Sequence, residues 1–216
     1  MPTKSGDPMS RTEQKLQTHQ RILAAAGRGF RKGGFGGIGV DGLAKEAGVT
    51  SGAFYVHFSS KEAAFKEAVL AGIDELRAAV ESLREAHGTQ WVETLVDFYL
   101  SYKRVCDLGD SCAMQSLIPE VGRADEHVKS AVEEHINSLA IAIADGLAEG
   151  KPKERMDRAW ALMALLSGGV TLARATKDPA TSEAIAGAIR KAALAVGLGA
   201  AQALPAARKI AHPKVP

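Results

Sequence analysis

Apolar residues return every three or four positions along most of this chain, the spacing of one helix face. Over residues 12–32, Leu16, Leu23, Ala26 and Phe30 share a face, with Ile22 beside them. The glycine run at 33–39 ends that helix. Residues 40–47 predict a short helix stopped by Gly48, and Thr50 is a good N-cap for another that ends near Phe58. Ser59 or Ser60 caps a long helix to about His87, with a stripe from Ala64 and Phe65 through Ile73 and Val80 to Leu83. After Gly88-Thr89 the pattern predicts a helix over 91–106, a loop at 107–110, and a helix over 111–122 that Pro119 kinks or ends. Helices over 125–149, 154–175 and 181–196 follow. No stretch alternates as a strand does and no segment repeats, so the expected fold class is all-α, with about nine helices in total.

Composition agrees. The 216 residues are 46% hydrophobic and 24% charged, which excludes bulk disorder, and only 5% aromatic, which favours helices over a β-sandwich. Two cysteines cannot build a disulfide framework, which excludes a small secreted scaffold. Residues 1–10 lack an apolar leader core, so no signal peptide is expected. The uncharged run 159–173 is short of a membrane span, and the run 192–207 is broken by Gly197, Gly199 and Pro205. A cytoplasmic protein with no membrane partner is expected.

The net charge of +2 conceals a division. Residues 1–70 carry ten basic and six acidic residues, net +4; residues 71–150 carry net −9, and residues 151–216 net +7. Phosphate binding needs Lys and Arg, so the first third suits nucleic acid and the middle does not. The basic end is spread over helix ends and a tail and reads as solvated surface. The expected division is an N-terminal domain at 1–60, with 1–10 disordered, a C-terminal domain at 61–198, and a mobile tail at 199–216.

The strongest local feature runs from Val40 to Phe58. Two short helices are joined by a tight turn at Gly48, which can take a positive φ. Ala44 is small where the second helix crosses the first, and Leu43, Ala47, Val49, Phe54 and Phe58 supply an internal core. This is the helix-turn-helix geometry that lays a second helix in the DNA major groove; an ordinary αα-hairpin has the same local pattern. Tyr55, His57 and Lys61 flank the second helix, and Thr50 with the first backbone N–H groups can meet a phosphate.

The run Thr50-Ser51-Gly52-Ala53-Phe54-Tyr55-Val56-His57-Phe58-Ser59-Ser60-Lys61-Glu62-Ala63, after Ala44-x-x-x-Gly48-Val49, resembles the N-terminal domain of the TetR family of transcriptional regulators. The resemblance covers about residues 12–65; beyond that it is one of architecture. It implies a homodimeric repressor of a pseudo-palindromic operator on double-stranded DNA. It also implies a four-helix dimer interface from the last two helices of each subunit, and a C-terminal pocket whose small-molecule effector spreads the two heads and releases the DNA. Carried over by position, Tyr55 and His57 contact phosphates or base edges, and Thr50 and Lys61 contact phosphates. The family often has Thr or Ser at the start of the helix before the turn, where this chain has Gly39. The second helix offers Ser51, Gly52, Ala53 and Val56 but no Arg, Asn or Gln, so specificity is expected from Tyr55, thymine-methyl contacts and DNA shape.

Other signals carry less. Residues 34–39 spell GxGxxG, but a helix precedes them and Ser59 stands where an acid belongs, so a flexible connector is expected. Gly109-Asp110-Ser111-Cys112-Ala113 is a near miss to a nucleophile elbow, leaving a remote hydrolase reading on Ser111; no enzyme, cofactor or metal is expected. Cys106 and Cys112 flank a loop and are either small buried hydrophobes or sensors of oxidants and electrophiles. His127 and His135, two turns apart, are too distant to share a metal unaided. The large side chains Trp91, Phe98, Tyr102, Met114, Leu117, Ile118, Leu139, Trp160 and Met163, with His135 as a polar handle, are candidates for lining an effector pocket or for plain core. Trp160, Met163, Ser167, Val170 and Arg174, with Ile185, Ile189, Ala192 and Val196, are candidates for a dimer seam, which Gly168 and Gly169 would let close tightly; the same face can complete a monomer core.

Overall fold

The structure is a computed structural model that describes residues 10–199. The mobile tail expected after residue 199, and residues 1–9 of the expected disordered start, lie outside the described residues. Ser10 does not fit that expectation, because it caps a helix. Its Oγ accepts from the Glu13 amide, and the Glu13 carboxylate accepts from the Ser10 amide at 2.7 Å, a closed capping box.

Helix α1 (Arg11–Gly37) runs further than its sequence pattern predicts. Gly34 interrupts it with φ 70°, and the chain then makes one more turn. That turn is an ordered plug rather than a flexible connector. Phe35 packs its ring 5.2 Å from Phe65 and 6.1 Å from Phe30, and this burial holds the glycines in place.

Helices α2 (Val40–Glu46) and α3 (Ser51–His57) follow as expected. Gly48 joins them at φ 67°, with its amide on Lys45 O and the Val49 amide on Ala44 O. These two bonds close the end of α2 in a Schellman motif. Phe30, Leu43, Ala44, Phe54 and Phe58 are buried between the first three helices.

Helix α4 (Lys61–His87), capped by Ser60, packs its N-terminal part against α1 and continues against α8 (Glu126–Gly146). Helices α9 (Pro152–Arg174) and α10 (Pro179–Gly197) pack on each other, with α8 beside α9. Helix α5 (Trp91–Phe98) lies against α4 and α10 and passes into a π-helical turn, Tyr99–Lys103, that no sequence signal announces. The single kinked helix expected over 111–122 is two short pieces, α6 (Ala113–Ser116) and α7 (Ile118–Val121), with Pro119 in the first turn of the second, where its missing N–H costs nothing. Among the described residues there are no strands, and no helix is long and apolar enough to cross a membrane.

One apolar cluster runs continuously from Ile22 in α1 to Ala193 in α10. Close approaches tighten it. A Cβ placed on Gly169 would lie 2.7 Å from Ile189 Cγ1, so α9 and α10 meet within one subunit at that point. Beside it, Gly168 faces open space.

Candidate functional site

Helix α3 turns one face inward and one outward. Phe54 is fully buried, whereas Tyr55 is 56% and Val56 67% exposed. Gly52 is exposed and Ala53 half-buried. Thr50 caps the helix, its Oγ accepting from the Ala53 amide at 3.1 Å. The Ser51 hydroxyl is held by Asp41 Oδ1 at 2.5 Å, which ties the start of α3 to the first turn of α2. Gly39 occupies the N-cap of α2 without a side-chain bond, so a missing hydroxyl there is a structural fact of this chain.

Lys61 opens α4 with its Nζ 4.4 Å from the centre of the Phe35 ring. A cation over an aromatic face is steadied without being neutralised, so it keeps its charge for a phosphate. Phe35 therefore positions a lysine, a role its place in a glycine run did not signal.

His57 closes α3 beneath the exposed face. Its Nδ1 is buried without a hydrogen-bond partner, and its ring lies 5.7 Å from that of His19 in α1. His19 in turn stacks 4.7 Å from Phe58 and reaches Glu67 Oε1 through Nε2. Burial first, and then the nearby His19 and Lys15, hold the His57 pKa below the ordinary imidazole value.

Residues 22–68 match the family described as Bacterial regulatory proteins, tetR family. The chain is similar to the TetR family over this helix-turn-helix stretch. It is 36% identical over 73 residues to an uncharacterized HTH-type transcriptional regulator of Bacillus subtilis, a stretch covering 34% of this chain and 37% of that one. Thus the matched stretch spans little more than a third of the curated relative. Similar folds include a TetR-family transcriptional regulator from Cytophaga hutchinsonii, with TM-score 0.70 and 16% identity, covering 89% of this chain and 99% of that one. Another is a TetR-family regulator from Agrobacterium tumefaciens, with TM-score 0.67 and 19% identity, covering 82% and 98%.

The candidate pocket residues separate into different places. Met114 and Met163 line a small inner void, while Phe98 and Tyr102 line an open cleft between α4, α5 and residues 110–113. Leu117 and Leu139 are fully buried, and Ile118 packs against the core. Trp91 donates its indole N–H to Gly146 O at 3.1 Å. Trp160 is exposed on α9. His135 sits outside the cleft, its Nδ1 3.1 Å from Asp74 Oδ1, and His127 meets Lys66 Nζ at 2.8 Å. Among the described residues no three potential metal ligands gather.

The candidate seam residues divide as well. Met163 and Val170 are buried within the subunit, and Ile189 packs on Gly169. Ser167 lines the inner void, while Ile185, Ala192 and Val196 are half-buried on α10. Arg174 turns inward and clamps the end of the α5 segment. Its Nη2 donates to Lys103 O at 2.7 Å, to Cys106 O at 2.8 Å and to Cys106 Sγ at 3.1 Å.

Ser111, the remote nucleophile, is buried with its hydroxyl 2.5 Å from Leu108 O and 2.6 Å from Ser116 Oγ, which makes it a bridge within a turn.

The depressed His57 pKa has a definite sign. Unfolded His57 takes its proton at higher pH than folded His57, so acid favours the unfolded chain. The contribution is present above the ordinary value of 6.5 and is lost as pH falls below it. Denaturant titrations between about pH 7 and pH 5 are expected to show wild type losing more stability than His57→Gln; parallel curves would contradict this assignment.

Proposed function

We propose that this regulator is a repressor that binds a pseudo-palindromic operator as a homodimer and is released by a small molecule bound in its C-terminal helices. The observation that carries the DNA-binding part is the outward face of α3, where Tyr55 and Val56 project from a helix whose other side is locked by Phe54. A side chain anchored on a rigid element is what base-edge contact requires. Thr50, Ser51, Gly52, Ala53, Tyr55, His57 and Lys61 form the proposed contact set. Within it, Thr50 and Lys61 serve phosphates, and Tyr55 with the methyl groups of Ala53 and Val56 reads bases. Ser51 contributes through its peptide, since its hydroxyl is held by Asp41.

The homodimer reading is supported by α9. Trp160, Ala164, Gly168 and Leu172 recur every fourth residue and are all exposed. Single exposed apolar residues are ordinary, but a stripe along one helix suits burial against a copy of itself. Such a dimer presents two copies of α3, matching two half-sites.

Two substitutions test the contact set by fluorescence anisotropy on operator and unrelated DNA. Lys61→Ala is expected to weaken binding on every sequence and to lower the slope of log affinity against log salt by about one. Tyr55→Ala is expected to lose the preference for operator while keeping the melting temperature nearly unchanged. An unaltered slope removes Lys61 from the set, and retained preference removes Tyr55.

A second reading rests on the Arg174 guanidinium at Cys106 Sγ. Oxidation of that sulfur would disturb a clamp joining α9 to the α5 segment, giving an oxidant-sensing regulator; Cys112, buried beside Tyr99, is the less accessible thiol. On this reading peroxide releases wild type from DNA and spares Cys106→Ser. Equal release of both proteins excludes Cys106 as the sensor.

A further inference from the structure

The cleft between α4, the α5 segment and residues 110–113 has a volume of about 430 Å³, within the range of small-molecule sites. At its inner end, Leu76, Leu95 and Tyr99 line both the cleft and the inner void of about 20 Å³, which has room for little more than a water molecule. Every residue lining that void is uncharged, and two of them, Met114 and Met163, are the adaptable kind that repack around a guest. At the outer end, Phe98 and Tyr102 stack with ring centres 5.4 Å apart, yet remain 45% and 48% exposed.

The charges at the mouth do not select an ion. Arg31 and Lys103 face Glu75 and Asp110 across the lining, two of each sign. The cations are already engaged, Arg31 Nε with Gly109 O at 2.7 Å and Lys103 Nζ with Asp110 O at 2.6 Å. Deeper in, an ionised group would leave water for an apolar wall and lose its solvation. A polar handle is nonetheless present. The Tyr99 phenol is buried beside the Cys112 thiol and the Ser167 hydroxyl. Burial and Cys112 push its pKa well above the ordinary value, so it stays a neutral hydrogen-bonding group.

We infer that this cleft takes an uncharged, ring-containing ligand with one hydrogen-bond acceptor, its ring lying between the Phe98–Tyr102 platform and the Leu76–Leu95 wall and its acceptor meeting Tyr99. The inference rests on the effector reading above and adds to it a location and a ligand class. It also names how occupancy reaches the DNA-binding helices. Arg31 belongs to α1 and lines the same cleft, so a ligand there touches the helix against which α2 and α4 pack.

Three probes of one size separate the possibilities: 2-acetylnaphthalene, 2-naphthoate and 2-naphthylmethylammonium, titrated calorimetrically into the full chain. The neutral ketone is expected to bind at least tenfold more tightly than either ion. Ala79→Trp fills the cleft from an exposed wall position, so it is expected to abolish ketone binding without lowering the melting temperature. Tyr99→Phe is expected to weaken the ketone severalfold and to leave 2-ethylnaphthalene, which lacks the acceptor, unaffected. Equal binding of an ion, no binding of the ketone, or ketone binding that survives Ala79→Trp overturns the inference. DNA retention, read in the same samples, keeps the two readings apart. A ketone that fills the cleft without loosening DNA upholds the site and sinks effector release. A different compound that releases DNA from Ala79→Trp as it does from wild type upholds effector release and sinks the site.

Discussion

Phe54 and Phe58 leave α3 on its inner side and are almost wholly buried with Phe30 and Leu43. That burial is the condition for α3 to exist. A seven-residue helix is far too short to offset its own nucleation in water, so its order comes from tertiary packing. Each buried ring contributes about 2 kcal/mol of apolar transfer, and the pair fixes which way the helix faces. Once Phe54 points in, Tyr55 and Val56 must point out. The exposed face proposed to read DNA is thus a consequence of the core beneath it, and the Gly48 turn and Thr50 cap set the angle at which it is presented.

The head is joined to the rest of the chain by more than the continuous helix α4. The turn Leu108–Asp110 docks under α1, with Arg31 on Gly109 O and Lys32 Nζ 3.2 Å from Asp107 Oδ1. A Cβ on Gly109 would lie 2.7 Å from Lys32 Cε, so the lysine end packs closely over this glycine and would have to move aside for a larger residue. The same stretch of chain leads back to Cys106, clamped by Arg174, and forward to Ser111 and Cys112 in the cleft wall. In the proposed mechanism this joint carries the coupling. A ligand that favours one setting of the joint weakens DNA binding by the factor by which DNA weakens the ligand.

The sequence alone makes much of this legible. The all-α class and the ends of α2, α3 and α4 followed from periodicity and caps, because Thr50, Ser60 and Gly48 satisfy local backbone demands that few other residues meet. What escaped the sequence is what depends on distant partners. In the sequence Phe35 is part of a glycine run, and only the distant Phe30 and Phe65 rings packed around it give it a fixed place. Nothing in the sequence singles out Tyr99, because the π-helical turn that places it between void and cleft has no local signature. Arg174 fitted a helix face suited to a partner, yet it turns inward to carbonyls of the α5 segment. Periodicity names a helix's faces; it does not say which neighbour each face meets, which is also why Met163 and Val170 were open to either burial or assembly.

Operator binding as proposed requires α3 to lie in the major groove of two half-sites at once. The direct measurement is nuclease footprinting of the purified chain on the DNA flanking its own gene, with stoichiometry taken from the same complex. Protection of one inverted repeat is expected, with half-site centres a whole number of helical turns apart and an even number of chains bound. Protection no stronger than on unrelated DNA, or a specific footprint made by a single chain on one half-site, would contradict it.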